Sequence, residues 1–225
     1  MGSDRIVLEL RDVRYEIGDR MLLSGLDLTL RGGESVALMG PSGSGKSTLL
    51  SLVLGLVKPL SGHVVVQGTD LVRVPRRRMV ELRRRHIGMV FQFGELIPEL
   101  RPEENVALAA LLGRTDRSSA LARAEKLLAE LGVPTAADTA RLSGGERQRT
   151  AVARALINSP DVVLADEPTG SLDPASRDRV ANLLFDLPAT KGCGLLVATH
   201  DESVAQRADR VFRLRDGALV PEAVV

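Results

Sequence analysis

An α/β fold with a mostly parallel sheet is what this sequence predicts, and three observations carry that prediction. ESVALMG, DVVLAD and CGLLVAT hold short, fully apolar strand candidates. Strands buried on both faces belong to parallel sheets covered by helices. Helical periodicity separates these strands along the chain. A glycine-rich run follows the first strand, while Asp166, Glu167 and His200 follow the other two. Reactive side chains therefore gather at the carboxyl ends of strands, where open α/β sheets keep their ligand sites.

The elements follow in chain order. RIVLELRDVRYEI reads as strands closed by the turn GDR, and the first sixty residues alternate strands and turns. KSTLLSLVLGL is a helix behind the strand ESVALMG. GHVVVQGTDL is another strand and turn, and PRRRMVELRRRHIGMVFQ a basic helix running into the strand IGMVF. Residues 103–131 turn helical, with Leu121, Ala124, Leu128 and Leu131 on one face. VPTAADTA is a loop. A helix over 146–157 follows, with Ala151, Val152, Ala155 and Leu156 on its apolar side. After DVVLAD a helix starts near Pro174, another follows His200, and RVFRLRDG is the last strand. Residues 93–157 read as a helical insertion into a core formed by 1–92 and 158–225.

Composition narrows the function. The 225 residues are 44% hydrophobic with a net charge of +1, enough for one domain with a substantial core and no overall bias toward polyanions. Four Phe, one Tyr and no Trp leave little for a base-stacking nucleic-acid surface. A single cysteine, Cys193, excludes an internal disulfide framework and fits a reducing compartment. Cys193, His63 and His86 lack zinc-ligand spacing and read as packing or solvent-facing residues. No apolar run reaches membrane-helix length, and MGSDRIVLEL shows no signal pattern, so a cytoplasmic protein is expected.

Gly40–Thr48, GPSGSGKST, matches G-x-x-x-x-G-K-[ST] between a strand and a helix. Gly40, Pro41, Ser42, Gly43, Ser44 and Gly45 form a loop whose backbone N–H groups wrap a β-phosphate. Lys46 brings positive charge to the β and γ oxygens, Ser47 is placed to ligate Mg²⁺, and Thr48 adds a phosphate hydrogen bond. Asp166 emerges at a strand end where an acid can hold Mg²⁺ directly or through water. Glu167 can activate a water against the γ-phosphate. Taken alone, such an Asp-Glu pair is an ordinary solvated loop start; the phosphate loop in the same chain gives it a catalytic meaning. His200 ends a third strand at the same edge, and a neutral ring there can exchange a hydrogen bond with the γ-phosphate or the attacking water. Gln92, after IGMVF, offers an amide to Mg²⁺ or water. RLSGGERQRT supplies a second phosphate cradle: Ser143, the N–H groups of Gly144 and Gly145, and a helix start.

Taken together and in order, GPSGSGKST, Gln92, LSGGE at 142–146, LADEP at 164–168, SLD at 171–173 and His200 resemble the ATP-binding subunit of an ABC transporter over nearly the whole chain. The resemblance implies a P-loop NTPase (RecA-like) core with an N-terminal antiparallel β subdomain and an inserted α-helical subdomain. It makes Gly40–Thr48 the Walker A loop, Gln92 the Q-loop, Asp166 and Glu167 the Walker B pair, Asp173 the D-loop acid and His200 the switch histidine. Ser143, Gly144, Gly145 and Glu146 become the signature motif, and Tyr15 stands where the family places an adenine-stacking aromatic. In such proteins two copies face head to tail, each signature closing on the ATP of the other, with Mg²⁺ as cofactor. An integral membrane permease holds the pair at the cytoplasmic face of the inner or plasma membrane.

The finer resemblance is to the lipoprotein-release and macrolide-export branch (LolD/MacB-like), which includes the division-linked FtsE type. LRRRHIGMVFQFGELIPELRPEENV follows its frame, with Gly94, Glu95, Arg101 and Pro102 departing from the commoner residues. It implies export or extraction of a lipoprotein, peptide or drug-like substrate through an FtsX- or MacB-like permease. Mechanotransmission to such a partner without transport, or a soluble ABC ATPase, are the alternatives. Arg76–Arg78 and Arg83–Arg85 read as a solvated helix face, or as a contact for lipid headgroups or the permease.

Overall fold

Two sheets and a helical cluster meet along one edge of the chain. The computed structural model describes residues 5–134 and 138–222. Residues 135–137 of the VPTAADTA loop, and the first four of MGSDRIVLEL, lie outside them.

β1 (Ile6–Ile17) and β2 (Arg20–Arg31) form an antiparallel hairpin through a turn at Gly18 and Asp19. β3 (Ser35–Met39) leads into α1 (Lys46–Val53), after which β4 (Ser61–Val66) and β5 (Thr69–Asp70) return to the hairpin. The resulting sheet, in order β2-β1-β4-β5, is wholly antiparallel. A 3₁₀ turn at Leu71–Arg73 leads to α2 (Arg76–His86), which passes directly into β6 (Ile87–Val90).

Next come α3 (Pro102–Leu111), α4 (Arg117–Glu130), a 3₁₀ turn at Thr139–Arg141 and α5 (Gly144–Leu156). The chain closes with β7 (Val162–Asp166), α6 (Pro174–Phe185), α7 (Leu187–Lys191), β8 (Gly194–Ala198), α8 (Glu202–Ala205), β9 (Arg210–Arg215) and β10 (Ala218–Glu222). The second sheet runs β10-β9-β3-β8-β7-β6, parallel throughout except for the terminal β9–β10 pair. This is the α/β architecture that the apolar strands predict: β3 and β8 are buried at every position and β7 at all but its last, Asp166.

The core falls into distinct apolar clusters. One lies between the two sheets, around Leu8, Leu30, Leu38, Leu49 and Leu164. Another, around Val106, Ala110, Ala124 and Leu128, joins α3, α4 and α5. α5 belongs to both sides: Ala153 and Ile157 at its end serve the helical cluster, whereas Ala151, Val152 and Leu156 pack with β7 and β8. Its Gln148, Thr150 and Val152 are likewise buried, so it is the seam between helices and sheet.

Several elements differ from the sequence reading. α5 begins at Gly144, two residues before the expected start, because Ser143 caps it: Glu146 N–H donates to Ser143 Oγ at 3.3 Å. The helical stretch over 103–131 breaks at the turn around Gly113, after α3 ends at Leu111. The buried face of α4 is Ala120, Ala124 and Leu128, spaced four apart, with Leu121 and Leu131 half-buried beside it. β10 was not expected; Pro221 is tolerated there because β10 is an edge strand.

Gly88 shows how closely α5 meets the sheet. A Cβ at this β6 position would stand 2.5 Å from the Ala155 carbonyl oxygen of α5. Gly88→Ala is expected to lower unfolding stability by roughly 1–3 kcal/mol through overpacking, measured as a shifted urea midpoint with unchanged slope.

Candidate functional site

The ends of β3, β6, β7 and β8 deliver their side chains to a single cleft of about 770 Å³. The loop after β3 needs glycine at two points. Gly40 has φ 151°, and a Cβ there would lie 2.8 Å from Ser44 Oγ and 2.9 Å from the Leu214 carbonyl. Gly45, with φ 111°, caps α1 in a left-handed conformation that side chains resist. The loop folds around Lys46, whose side chain is 7% exposed. Its Nζ donates to the carbonyls of Gly40 (2.6 Å) and Pro41 (3.2 Å) and lies 3.7 Å from Glu167 Oε1. A buried ammonium held by carbonyls of its own loop is poised to exchange them for an anion.

Asp166 and Glu167 are adjacent yet both line the cleft, although successive residues of a strand point to opposite faces. The backbone explains it. Glu167 has φ 45°, left-handed for a residue with a side chain, and is held there by its N–H donating to the Ala198 carbonyl at 2.8 Å. Such a conformation costs of order 1–3 kcal/mol and persists where its surroundings impose it, commonly at functional sites. The Glu167 carboxylate then spans two cations or potential cations: Oε2 is 2.9 Å from His200 Nδ1 and accepts the His200 N–H at 3.3 Å, while Oε1 faces Lys46.

Burial pushes the Asp166 carboxyl above the usual carboxylate range; a hydrogen bond from Ser47 opposes the shift, the Glu167 charge adds to it, and Lys46 opposes it. Asp166 Oδ1 is buried without a hydrogen-bond partner. An orphaned carboxylate oxygen beside a serine hydroxyl is a hard oxygen-donor pair, and it fits Mg²⁺. Among the described residues no three His, Cys, Asp or Glu side chains converge; an ion that takes the rest of its shell from phosphates and water needs no such cluster. Gln92 lines the cleft opposite, with its Nε2 close against Gly170.

The structure thus brings Pro41, Ser42, Gly43, Gly45, Lys46, Ser47 and Thr48 together with Gln92, Asp166, Glu167 and His200. Ser44 does not join the lining; its Oγ is buried without a hydrogen-bond partner. Tyr15 also stays outside it, half-buried against the apolar core, and Ile17, Arg20 and Leu22 form that wall instead. The hairpin register places Ile17 opposite Arg20, a pairing that emerges only once the turn is formed. Asp173 caps α6, accepting the Ser176 N–H at 3.0 Å.

Ser143, Gly144, Gly145 and Glu146 are likewise outside the cleft. The Ser143 hydroxyl donates to Glu146 Oε2 at 2.7 Å, and the same oxygen accepts the Ser143 N–H at 2.8 Å. These bonds hold the Glu146 carboxyl below its ordinary range. The first N–H groups of α5, on Gly144 and Gly145, have no partner within the helix. A Cβ at Gly145 would stand 3.0 Å from Ser176 Oγ, so this helix start packs closely on the start of α6.

Two residues of α5 escaped the sequence reading. Gln148 Nε2 donates to the Phe91 carbonyl at 2.8 Å, and Arg154 donates to the carbonyls of Gly94 (2.6 Å) and Glu95 (2.5 Å). Together they staple α5 to the loop that carries Gln92. A glutamine in line with Ala151, Val152 and Ala155 on the apolar helix face is the signal the sequence offers.

The family described as ABC transporter matches residues 23–170. The "Lipoprotein-releasing system ATP-binding protein LolD" of Porphyromonas gingivalis is 41% identical over 219 residues, spanning 96% of this chain and 100% of the relative. The protein of the same name from Novosphingobium aromaticivorans is 46% identical, spanning 95% and 98%. Among solved structures, a dimeric post-hydrolysis state of the ATP-binding cassette MJ0796, bound to ADP and Pi, superposes with a TM-score of 0.86 at 34% identity, covering 97% of this chain and 99% of that one. The cbiO1 protein from Clostridium perfringens, described as part of the ABC transporter complex cbiONQ, gives 0.87 at 28%, covering 96% and 88%.

The Asp166 environment makes a pH-dependent prediction. Its folded-state pKa lies above the unfolded value, so the ionised carboxylate opposes folding above that pKa, and the cost vanishes once pH falls below the ordinary aspartate range. Asp166→Asn is therefore expected to raise the melting temperature of the nucleotide-free protein at neutral pH. Melts recorded over a pH series should show the gain shrinking toward acid, and Mg²⁺-dependent stabilisation by ATP should be lost at every pH.

Proposed function

The chain belongs to the ABC transporter family as one of its ATP-hydrolysing subunits, and from that premise we propose that it works as a dimer which closes on two ATP molecules and drives a membrane permease in lipoprotein release. One observation carries the reading. A single cleft gathers Lys46, Asp166, Glu167 and His200, while the second anion-binding helix start, at Ser143, stands outside it.

In this reading the loop from Gly40 to Thr48 wraps the β-phosphate, and Lys46 trades the Gly40 and Pro41 carbonyls for phosphate oxygens. That exchange weakens its hold on Glu167 and leaves the carboxylate with His200. Glu167 then accepts a proton from the attacking water, and His200 fixes its orientation through Nδ1. Ser47, Asp166 and Gln92 are the residues that would hold Mg²⁺, which supplies positive charge to the phosphate oxygens when bound. Ile17, Arg20 and Leu22 offer the apolar and cationic wall for the rest of the nucleotide, with Tyr15 behind them. No copy completes the site alone: Ser143, Gly144 and Gly145 face the nucleotide of the other copy, with Asp173 at the same interface. Ser143 must turn its hydroxyl from Glu146 to phosphate as the dimer closes, so the capping box keeps the signature occupied until ATP arrives.

A groove beside Gln92 suits the membrane partner. Met89, Phe91, Ala109 and Leu112 line it with Arg84 and Glu95, and Phe91, Phe93, Ile97 and Leu112 are exposed apolar side chains. Among the described residues no helix is long and apolar enough to cross a membrane, so membrane attachment falls to that partner, of the FtsX- or MacB-like kind, at the cytoplasmic face. The staple from Gln148 and Arg154 links this groove to α5. Residues 93–157 then act as a unit that reports the state of the nucleotide to the permease.

Glu167→Gln is expected to form a stable dimer with ATP and Mg²⁺, seen by size-exclusion chromatography, while hydrolysis falls at least about a hundredfold. A variant that stays monomeric under those conditions overturns the assembly. Ser143→Arg should abolish turnover and leave ATP affinity of the monomer unchanged; a loss of monomer affinity overturns action across the dimer.

A further inference from the structure

α2 carries an arginine surface that neither the cleft nor the fold uses. Its first turn is Arg76, Arg77 and Arg78 with no acidic residue, a placement that opposes the helix dipole. Its last turn holds Arg83, Arg84, Arg85 and His86. Three of these are engaged: Arg83 with the Leu54 carbonyl (3.2 Å), Arg84 with the Gly113 carbonyl (2.7 Å) and His86 with Asp161 (2.6 Å). Arg76, Arg77, Arg78 and Arg85 are exposed, and among the described residues they have no hydrogen-bond or ion-pair partner. Arginines elsewhere show the contrast, as in Arg177–Asp201, Arg207–Asp178 and Arg210–Glu34. Glu81 is the acid on α2; it too is exposed, and its side chain has no partner among the described residues.

Apolar side chains interleave with this charge. Val80 on α2 is 57% exposed, and Leu112 is 75% exposed on the turn that Arg84 ties to α2. Arg114, two residues on, is exposed, and its side chain also lacks a partner among the described residues. Arg84 and Leu112 both line the groove beside Gln92, so the basic surface is continuous with it.

We propose that α2 and the turn from Leu112 to Arg114 rest on anionic phospholipid headgroups next to the membrane partner, with the free arginines on headgroup phosphates. The proposal rests on the reading that the groove receives a membrane partner, which puts the membrane plane on this side. The chemistry favours lipid. Guanidinium groups pair with phosphate in a fork geometry. Exposed Val80 and Leu112 suit the boundary between headgroups and acyl chains. The overall charge of +1 leaves the attraction to this patch rather than to the protein as a whole.

The test is flotation of the full chain, without permease, on protein-free vesicles. Vesicles of phosphatidylcholine with phosphatidylglycerol should bind it, pure phosphatidylcholine vesicles should not, and high salt should reverse the binding. Each Arg→Gln substitution at 76, 77, 78 or 85 should lower the partition coefficient by about fivefold, with ATP binding retained. Arg85→Gln alone, outside the first turn, should show that same step, and Arg179→Gln on α6 should change nothing. Equal binding to both vesicle types, no binding, or an equal loss with Arg179→Gln overturns the proposal, as does preferential retention on an acidic polypeptide. Recovery of a membrane protein with the chain from detergent extracts checks the underlying reading separately. Recovery without vesicle binding overturns the lipid contact alone.

Discussion

Glu167, held between Lys46 and His200, is the interaction around which the rest of the structure is arranged. Lys46 follows β3, Glu167 follows β7 and His200 follows β8, and β8 lies between the other two in the sheet. The contact therefore exists only if three strands distant in sequence are parallel neighbours with aligned ends. The register supplies this: Leu38 pairs with Ala198, and Ala198 with Asp166. The cost is local. Glu167 takes a left-handed backbone, Asp166 is buried with an unpartnered oxygen, and a lysine ammonium leaves water for carbonyl partners. Strain and desolvation concentrated at one strand edge are the marks of a functional site.

The same economy explains the start of α5. There the Glu146 carboxylate accepts both the N–H and the hydroxyl of Ser143, while the N–H groups of Gly144 and Gly145 have no partner within the helix. The carboxylate satisfies Ser143 and complements the dipole while no phosphate is near. α5 is tied down in two directions. Its start packs on α6 through Gly145 and Ser176, and its middle and end reach the Gln92 loop through Gln148 and Arg154. A rigid helix bonded at both places cannot move at one without moving the other.

Much of the site was legible because its chemistry is local. A glycine loop before a lysine, and acids or histidine after apolar strands, state both the residue types and their strand edge, and every one of those lining side chains belongs to a recognisable run. What was not legible depends on long-range register. Ile17, Arg20 and Leu22 reach the cleft wall because a hairpin brings β1 and β2 to the phosphate loop. Tyr15, two residues from Ile17, packs against the core instead. Gln148 and Arg154 do not show their partners until the Gln92 loop closes over them. β10 escaped notice because a short, half-polar edge strand with a proline has little signal of its own.

The sequence by itself determined the α/β class, the phosphate loop, the strand-end acids and the second cradle at Ser143, since each follows from composition and spacing within a few residues. Only the tertiary structure decided which of these meet. It joined Lys46, Glu167 and His200, left Ser143 outside, turned the Asp173 carboxylate to a helix cap, and left an exposed arginine face on α2. Those outcomes turn on strand order, register and helix packing, which are set by the burial of apolar surface over the whole chain and not by any single motif.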